Sequence, residues 1–215
     1  MRLVQVNDFS LTAAAEYQRP VSFGEAQLEE VAKALCAPPF GSAINATEIS
    51  LTKQNELFAY TLFVPLFNGA GSITINAQRI TVSFNQGRKR EHLDLMIDCT
   101  LSAFNLVKVQ PLKRSILSFT AHAVFDPPTE YVEHMKRYTS LSAGIVSGGL
   151  VLVTALPEID GELRYVSEKS LALENAVFIA ANASTTKEIT KELFELLGRR
   201  LEATANVEGI CFRKT

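Results

Sequence analysis

A strand–turn–helix pattern is written twice in this chain, and it narrows the folds open to it. From Ile80 to Leu106 the sequence reads ITVSFNQGRKREHLDLMIDCTLSAFNL. Ile80, Val82 and Phe84 alternate with Thr81 and Ser83, the period of a strand with one covered face. Asn85-Gln86-Gly87 breaks that strand. A helix follows, with Leu93, Met96, Ile97, Leu101 and Phe104 on one face and Glu91, Asp94, Asp98, Ser102 and Asn105 on the other. The same grammar returns at Val177–Ala203. Val177–Ala180 reads as a strand and Asn182-Ala183-Ser184 as the turn. Ile189, Leu193, Leu196, Leu197 and Leu201 form the apolar face of a long helix. Repetition of pattern where the letters have diverged points to internal duplication.

The flanking segments fit two matching halves. Leu11–Gln18 alternates as a strand, with Arg2–Val6 a short strand or arm before it. Ser22-x-x-Glu25 reads as a capping box ahead of a helix that stops at Pro38-Pro39. Strands are expected at Thr47–Lys53, Leu57–Phe67 and Ser72–Asn76, with Pro65 marking an edge or a bulge. In the second half Ile116–Phe125 mirrors Leu11–Gln18. A short helix with Val132, Met135 and Tyr138 follows Pro127-Pro128. Strands are expected within Gly144–Ala155, at Glu162–Ser167, Ser170–Leu173 and Ala176–Asn182. Thr185-x-x-Glu188 reads as a second capping box, and Gly209–Arg213 as a final edge strand. Each half then runs β-α-β-β-β-β-α, residues 1–107 and 108–215, packed as one globular α+β unit.

Helices in these positions can all cover one face of an antiparallel sheet. The other face would carry Thr12, Ala14, Glu16, Ser50, Thr52, Thr81 and Ser83. Two such units resemble, as topology, the TATA-binding-protein-like fold, whose duplicated halves form one curved sheet with helices on its back. A helix-grip domain, with a cavity under a long helix, is the related alternative. Neither likeness carries a function by itself. The DNA-binding members need cations and intercalating aromatics on the concave face, and here that face reads mostly as Ser, Thr and Ala.

Charge and cysteine content exclude several classes. A net charge of -2 and a pI near 6.0 give no electrostatic footprint for nucleic acid or an anionic membrane. The three cysteines Cys36, Cys99 and Cys211 are scattered, as in a reducing compartment. MRLVQVNDFS has no signal-peptide core, and the apolar run Gly144–Leu156 is too short to span a bilayer. A cytoplasmic protein is expected.

No catalytic, metal or cofactor signature is written in the chain. Ser10 and Ser147 lack a nucleophile-elbow context. Gly69-x-Gly71 and Gly148-Gly149 lie between strands and fail the nucleotide-loop tests. His92 and His134 lack ligand spacing. Three constellations stand out. Arg88-Lys89-Arg90, at the start of a helix, is a candidate anion site that Lys108, Lys113 and Arg114 could extend. Glu16 and His122 occupy equivalent places in the two first strands and could pair on the open sheet face. Leu57–Phe67 is apolar on both faces, so Phe58, Tyr60 and Phe63 are interface candidates. The first functional reading is a non-enzymatic interaction or assembly module, a homo-oligomer or the partner of another protein. The alternative is a small-molecule or anion-binding domain with a pocket between curved sheet and helix. A concave pocket lined by Glu16, His122 or the Arg88–Arg90 cluster would favour the second.

Overall fold

Among the described residues, alternation of apolar and polar side chains becomes ten strands of one open sheet, with four helices on one of its faces. The structure, a computed structural model, describes residues 2–37, 43–54, 59–107, 111–139 and 148–212. In chain order these are β1 (Arg2–Tyr17), α1 (Glu25–Leu35), β2 (Ser50–Gln54), β3 (Ala59–Leu66), β4 (Gly71–Ile75) and β5 (Arg79–Gly87). They continue with α2 (Arg90–Val107), β6 (Leu112–Phe125), α3 (Pro128–Thr139), β7 (Gly149–Leu156), β8 (Gly161–Lys169), β9 (Ala176–Thr185), α4 (Lys191–Glu208) and β10 (Ile210–Phe212). The strand order is β2-β3-β4-β5-β1-β6-β9-β8-β7. All these neighbours are antiparallel, and β10 adds in parallel to the first residues of β1.

β1 is the axis of the sheet. Its first residues, Arg2–Val4, pair with β10, and its later ones, Phe9–Glu16, pair with β5. β6 runs along its other side from Val4 to Tyr17. The expected arm and first strand are therefore one strand of 16 residues. It stays extended by accepting irregularities, between Phe9 and Leu11 against β5 and between Val6 and Phe9 against β6. A bulge bends a strand and re-aims the side chains beside it.

Register decides which side chains meet the helices. Leu62, Val64, Ile73, Ile75, Val82, Phe84, Leu11 and Ala15 point the same way. They are buried with Leu28 and Leu35 of α1 and with Met96, Cys99 and Ala103 of α2. Across the seam, Leu117, Ala181, Ala183 and Leu163 bury against Leu193 of α4. Phe125, Tyr165 and Ile179 bury against Met135 of α3 and Ala205 of α4. Each large apolar side chain so buried is worth about 1.5–3 kcal/mol. The opposite face carries Ser72, Thr74, Thr81, Ser83, Thr12, Ala14, Ser118 and Asn182. Thr12 donates to Ser83 Oγ at 3.3 Å, and Ser118 hydrogen-bonds Asn182.

Several boundaries move for local reasons. α1 starts at Glu25 with Gly24 in the cap position, so Ser22 does not cap it. α4 starts at Lys191, capped by Thr190 Oγ1 on the Leu193 N–H at 3.3 Å. The Thr185 hydroxyl is engaged elsewhere, on the Ile159 carbonyl and the Lys187 N–H. Thr47 falls in a single helical turn at Ala46–Glu48, and the strand begins at Ser50. Pro65 lies beyond the paired stretch, since β2 begins at Ser50, opposite Phe63. Ser170–Leu173 is not a strand. Ser170 Oγ accepts from the N–H groups of Ala172 and Leu173, at 3.2 and 3.0 Å, and the chain turns there. The second half thus reads β-α-β-β-β-α, then β10, among the described residues. Residues 140–147, where the Gly144–Ala155 strand was expected to begin, lie outside them.

Candidate functional site

On the face away from the helices, a groove of about 480 Å³ opens over the irregular middle of β1. Asp8 and Ser10 of β1 and Thr120 and His122 of β6 form its floor. Asn85 and Gln86, at the end of β5, and Arg88, just beyond it, form one wall. Phe178 of β9 and Leu173 of the turn after β8 form the other. The bulge at Phe9–Leu11 is part of this floor, and Gln86 at the wall holds a left-handed φ of 63°. Non-glycine residues in that conformation cost energy and gather at functional sites. The glycine after it is forced by contact. A Cβ on Gly87 would stand 2.3 Å from the Phe9 ring.

Arg88 is oriented by Asp8, Nε to Oδ1 at 3.0 Å, in a largely exposed pair. Its backbone N–H donates to His92 Nδ1 at 3.2 Å. His122 is held on two sides. Its ring lies 5.3 Å from that of Phe178, and Nδ1 is 2.9 Å from Ser170 Oγ. That hydroxyl already accepts two backbone N–H groups. Its own proton is thereby free for Nδ1, an arrangement that goes with a proton on Nε2. The groove thus gathers one guanidinium with its carboxylate partner, an imidazole, two amides and two hydroxyls beside an aromatic ring. Such a mixture can orient a small polar molecule by hydrogen bonds and hold its flat part by stacking.

The sequence-expected residues separate. Glu16 and His122 do not meet. β1 and β6 are antiparallel, so equivalent positions lie toward opposite ends of the pair. Glu16 stands opposite Arg114, eight residues from His122 along β6, roughly 27 Å at the rise of a strand. Arg114 binds Glu16 through two bonds, Nε–Oε2 at 2.8 Å and Nη2–Oε1 at 2.9 Å, with Lys113 at 3.9 Å. Those bonds hold the Glu16 carboxyl below its ordinary value. Lys113 and Arg114 therefore serve Glu16, not the Arg88 cluster, and Lys108 lies outside the described residues. Of Arg88, Lys89 and Arg90, Arg88 lines the groove, while Arg90 approaches Asp94 on its own helix at 3.8 Å.

The interface candidates do not form one patch. Tyr60 is on the helix-covered face, where Glu25 accepts from its hydroxyl. Phe63 is on the open face, 40% exposed. Ala59 and Pro65, in the same row as Phe63, are buried. Phe67 sets its ring 5.8 Å from Phe84 in the core. Phe58 lies outside the described residues.

A second polar cluster was not read from the sequence. Glu208, in the last turn of α4, is buried. It accepts from His134 Nε2 at 3.0 Å, Tyr138 Oη at 2.6 Å and Tyr165 Oη at 2.6 Å. Burial alone would push its carboxyl up. The bonds from His134, Tyr138 and Tyr165, aided by the nearby Ser167 hydroxyl, outweigh that and hold it below the ordinary value. Burial, with Glu208 beside them, pushes both tyrosine hydroxyls up. Arg137 also donates to the Glu208 carbonyl at 2.9 Å. This cluster ties α3 and β8 to the end of α4, and its buried position suits fastening more than chemistry.

Among the described residues, no group of three or more His, Cys, Asp or Glu side chains could hold a metal ion, and no helix is long and apolar enough to cross a membrane. No protein-family model matches the chain, and no curated protein matches it.

Proposed function

We propose that the chain is a non-catalytic binding domain whose open-face groove takes a small organic anion, a carboxylate or a phosphate monoester with a flat apolar part. The observation that carries this reading is the convergence of Arg88 and His122 in one cavity. Asp8 offsets the charge of Arg88. Net attraction for an anion then comes from hydrogen-bond donors: the free positions of the guanidinium, His122 Nε2–H, and the amides of Asn85 and Gln86. Phe178 and Leu173 offer the apolar wall. Benzoate, phenyl phosphate and the neutral benzyl alcohol, titrated with amide NMR detection, test it. Both anions should shift the groove residues saturably. Arg88→Gln should weaken them about tenfold, about 1.4 kcal/mol, with little effect on benzyl alcohol. Asp8→Asn should strengthen them by releasing the guanidinium. Anions that leave the groove residues unmoved, or an Asp8→Asn change that weakens them, would overturn the reading.

The fold is read here as an internal duplication of the TATA-binding-protein-like kind. Its support is the strand order. β3-β4-β5-β1 on one side of the seam is answered by β7-β8-β9-β6 on the other. α2 and α4 each follow the last strand of that set and pack on the same face.

A second reading, assembly, has its own observation in β7. This edge strand, GLVLVTAL, carries no charge in eight residues, and Val151 and Val153 are 54% and 63% exposed. Among the described residues no strand pairs with its outer side. The opposite edge, β2, is guarded by Lys53, as edge strands generally are. A copy of the same strand would suit β7, since two chargeless edges can pair about a two-fold axis. A dimer mass at about tens of micromolar, abolished by Val153→Lys, would support it. A monomer mass would end it.

A further inference from the structure

The helix-covered face holds a cavity separate from the groove. It lies between α2, α4 and the sheet and measures about 210 Å³. Leu93 and Ile97 of α2 line it from one side, Phe194, Leu197 and Leu201 of α4 from the other, and Leu11 and Phe119 from the sheet. An apolar cavity of about 150 Å³ stays dry and accepts benzene, so this one is large enough for a short hydrocarbon group.

Two residues of α4 give the cavity its character. Gly198 sits in the middle of the helix and lines the cavity. Glycine in a helix interior is less favourable than alanine. Neither backbone nor packing asks for it. Its φ is not positive, and a Cβ would meet nothing within 4 Å. The missing side chain leaves the rim of the cavity open. Glu202 lies four residues on, on the same helix row. It is exposed and is the charged side chain among the cavity's lining. A carboxylate at the mouth repels an anionic head group and attracts a cationic one.

We infer that this cavity binds a short alkyl chain carrying a neutral or cationic head group, with the chain between α2 and α4 and the head over Gly198 beside Glu202. Fatty carboxylates of the same length are discriminated against.

Hexanol, hexylamine and hexanoate, titrated into the full chain with methyl NMR detection, test this. Hexanol and hexylamine should shift the methyls of Leu93, Ile97 and Leu197 saturably. Hexanoate should bind about three- to tenfold more weakly than hexylamine, as expected when one exposed carboxylate attracts the ammonium and repels the carboxylate head. Glu202→Gln is a surface change that leaves the apolar lining intact. It should remove that discrimination while hexanol binding stays as it was. Gly198→Leu should close the rim and abolish all three, with no loss of melting temperature. Wild-type methyls unmoved by hexanol would overturn the inference, and so would hexanoate binding as tightly as hexylamine. Discrimination that survives Glu202→Gln would overturn it as well.

Discussion

At the residue scale, the cluster around Glu208 shows what a single sequence hides. His134 reads as a lone histidine because its partner is 74 residues away. Tyr138 reads as an ordinary apolar position of its helix, and Tyr165 falls inside the expected strand Glu162–Ser167. Packing α3 and β8 against the end of α4 turns them into one network around a buried charge. A hydrogen bond to a charged group is worth about 1.5–3 kcal/mol, so Tyr165→Phe should destabilise the protein by about that amount, read as a lower midpoint in denaturant. The pH dependence follows from the direction of the Glu208 shift. Its folded value lies below the ordinary 4.5. Its contribution is therefore complete above the unfolded value and lost as pH falls through the folded one. Below about pH 4.5 wild-type stability should fall more steeply than that of Glu208→Gln, which is weaker at neutral pH because a partner is lost. Equal slopes in acid would show that the carboxylate carries no such linkage.

At the element scale, α4 separates what periodicity tells from what it does not. Its apolar face, Leu193, Leu196, Leu197 and Leu201, is legible because a buried stripe must repeat with the helix turn. Its start is not. Thr185-x-x-Glu188 has the letters of a capping box, yet the Thr185 hydroxyl is engaged by Ile159 and Lys187, contacts the letters do not announce. Thr190 caps instead. Thr190→Ala should cost about 1 kcal/mol, seen as a lower melting temperature with the strand signals unchanged. A neutral effect would mean that the cap bond adds nothing beyond what water supplies. The groove has the same split. His122 is legible as an open-face residue of an alternating strand. The turn on Ser170 that fixes His122 reads as a strand in the sequence, since its Ser-x-x-Leu letters fit alternation as well as a side-chain turn. Asp8 was missed because the bulge in β1 breaks the period that would have assigned its face.

At the scale of the whole molecule, the sequence pattern raises the expectation of two like halves, residues 1–107 and 108–215, but does not say how they would be joined. Long-range pairing leaves no local trace, and the seam is built from it. β1 and β6 pair over nearly their whole lengths. β10, at the end of the second half, returns to pair with Arg2–Val4 at the start of the first. Each half therefore leaves a long central edge without its partner when alone, and the first half also leaves the Arg2–Val4 segment bare. Ala13 of β1 is buried in the cluster that holds Leu117 and Leu193 from the second half. Phe119 packs its ring 6.1 Å from Phe9 across the seam. Cutting the chain into 1–107 and 108–215 should thus give fragments that do not fold separately, because an open central edge and a half-covered apolar face favour disorder or aggregation. Mixed together, they should reassemble, since the seam closes by pairing edges that are already matched in register. Circular dichroism of each fragment and of the mixture reads this out. A cooperative melting transition should appear in the mixture and in neither fragment. A fragment that melts cooperatively by itself would show that the halves are independent domains, and the central strands would then be a docking surface and not a shared core.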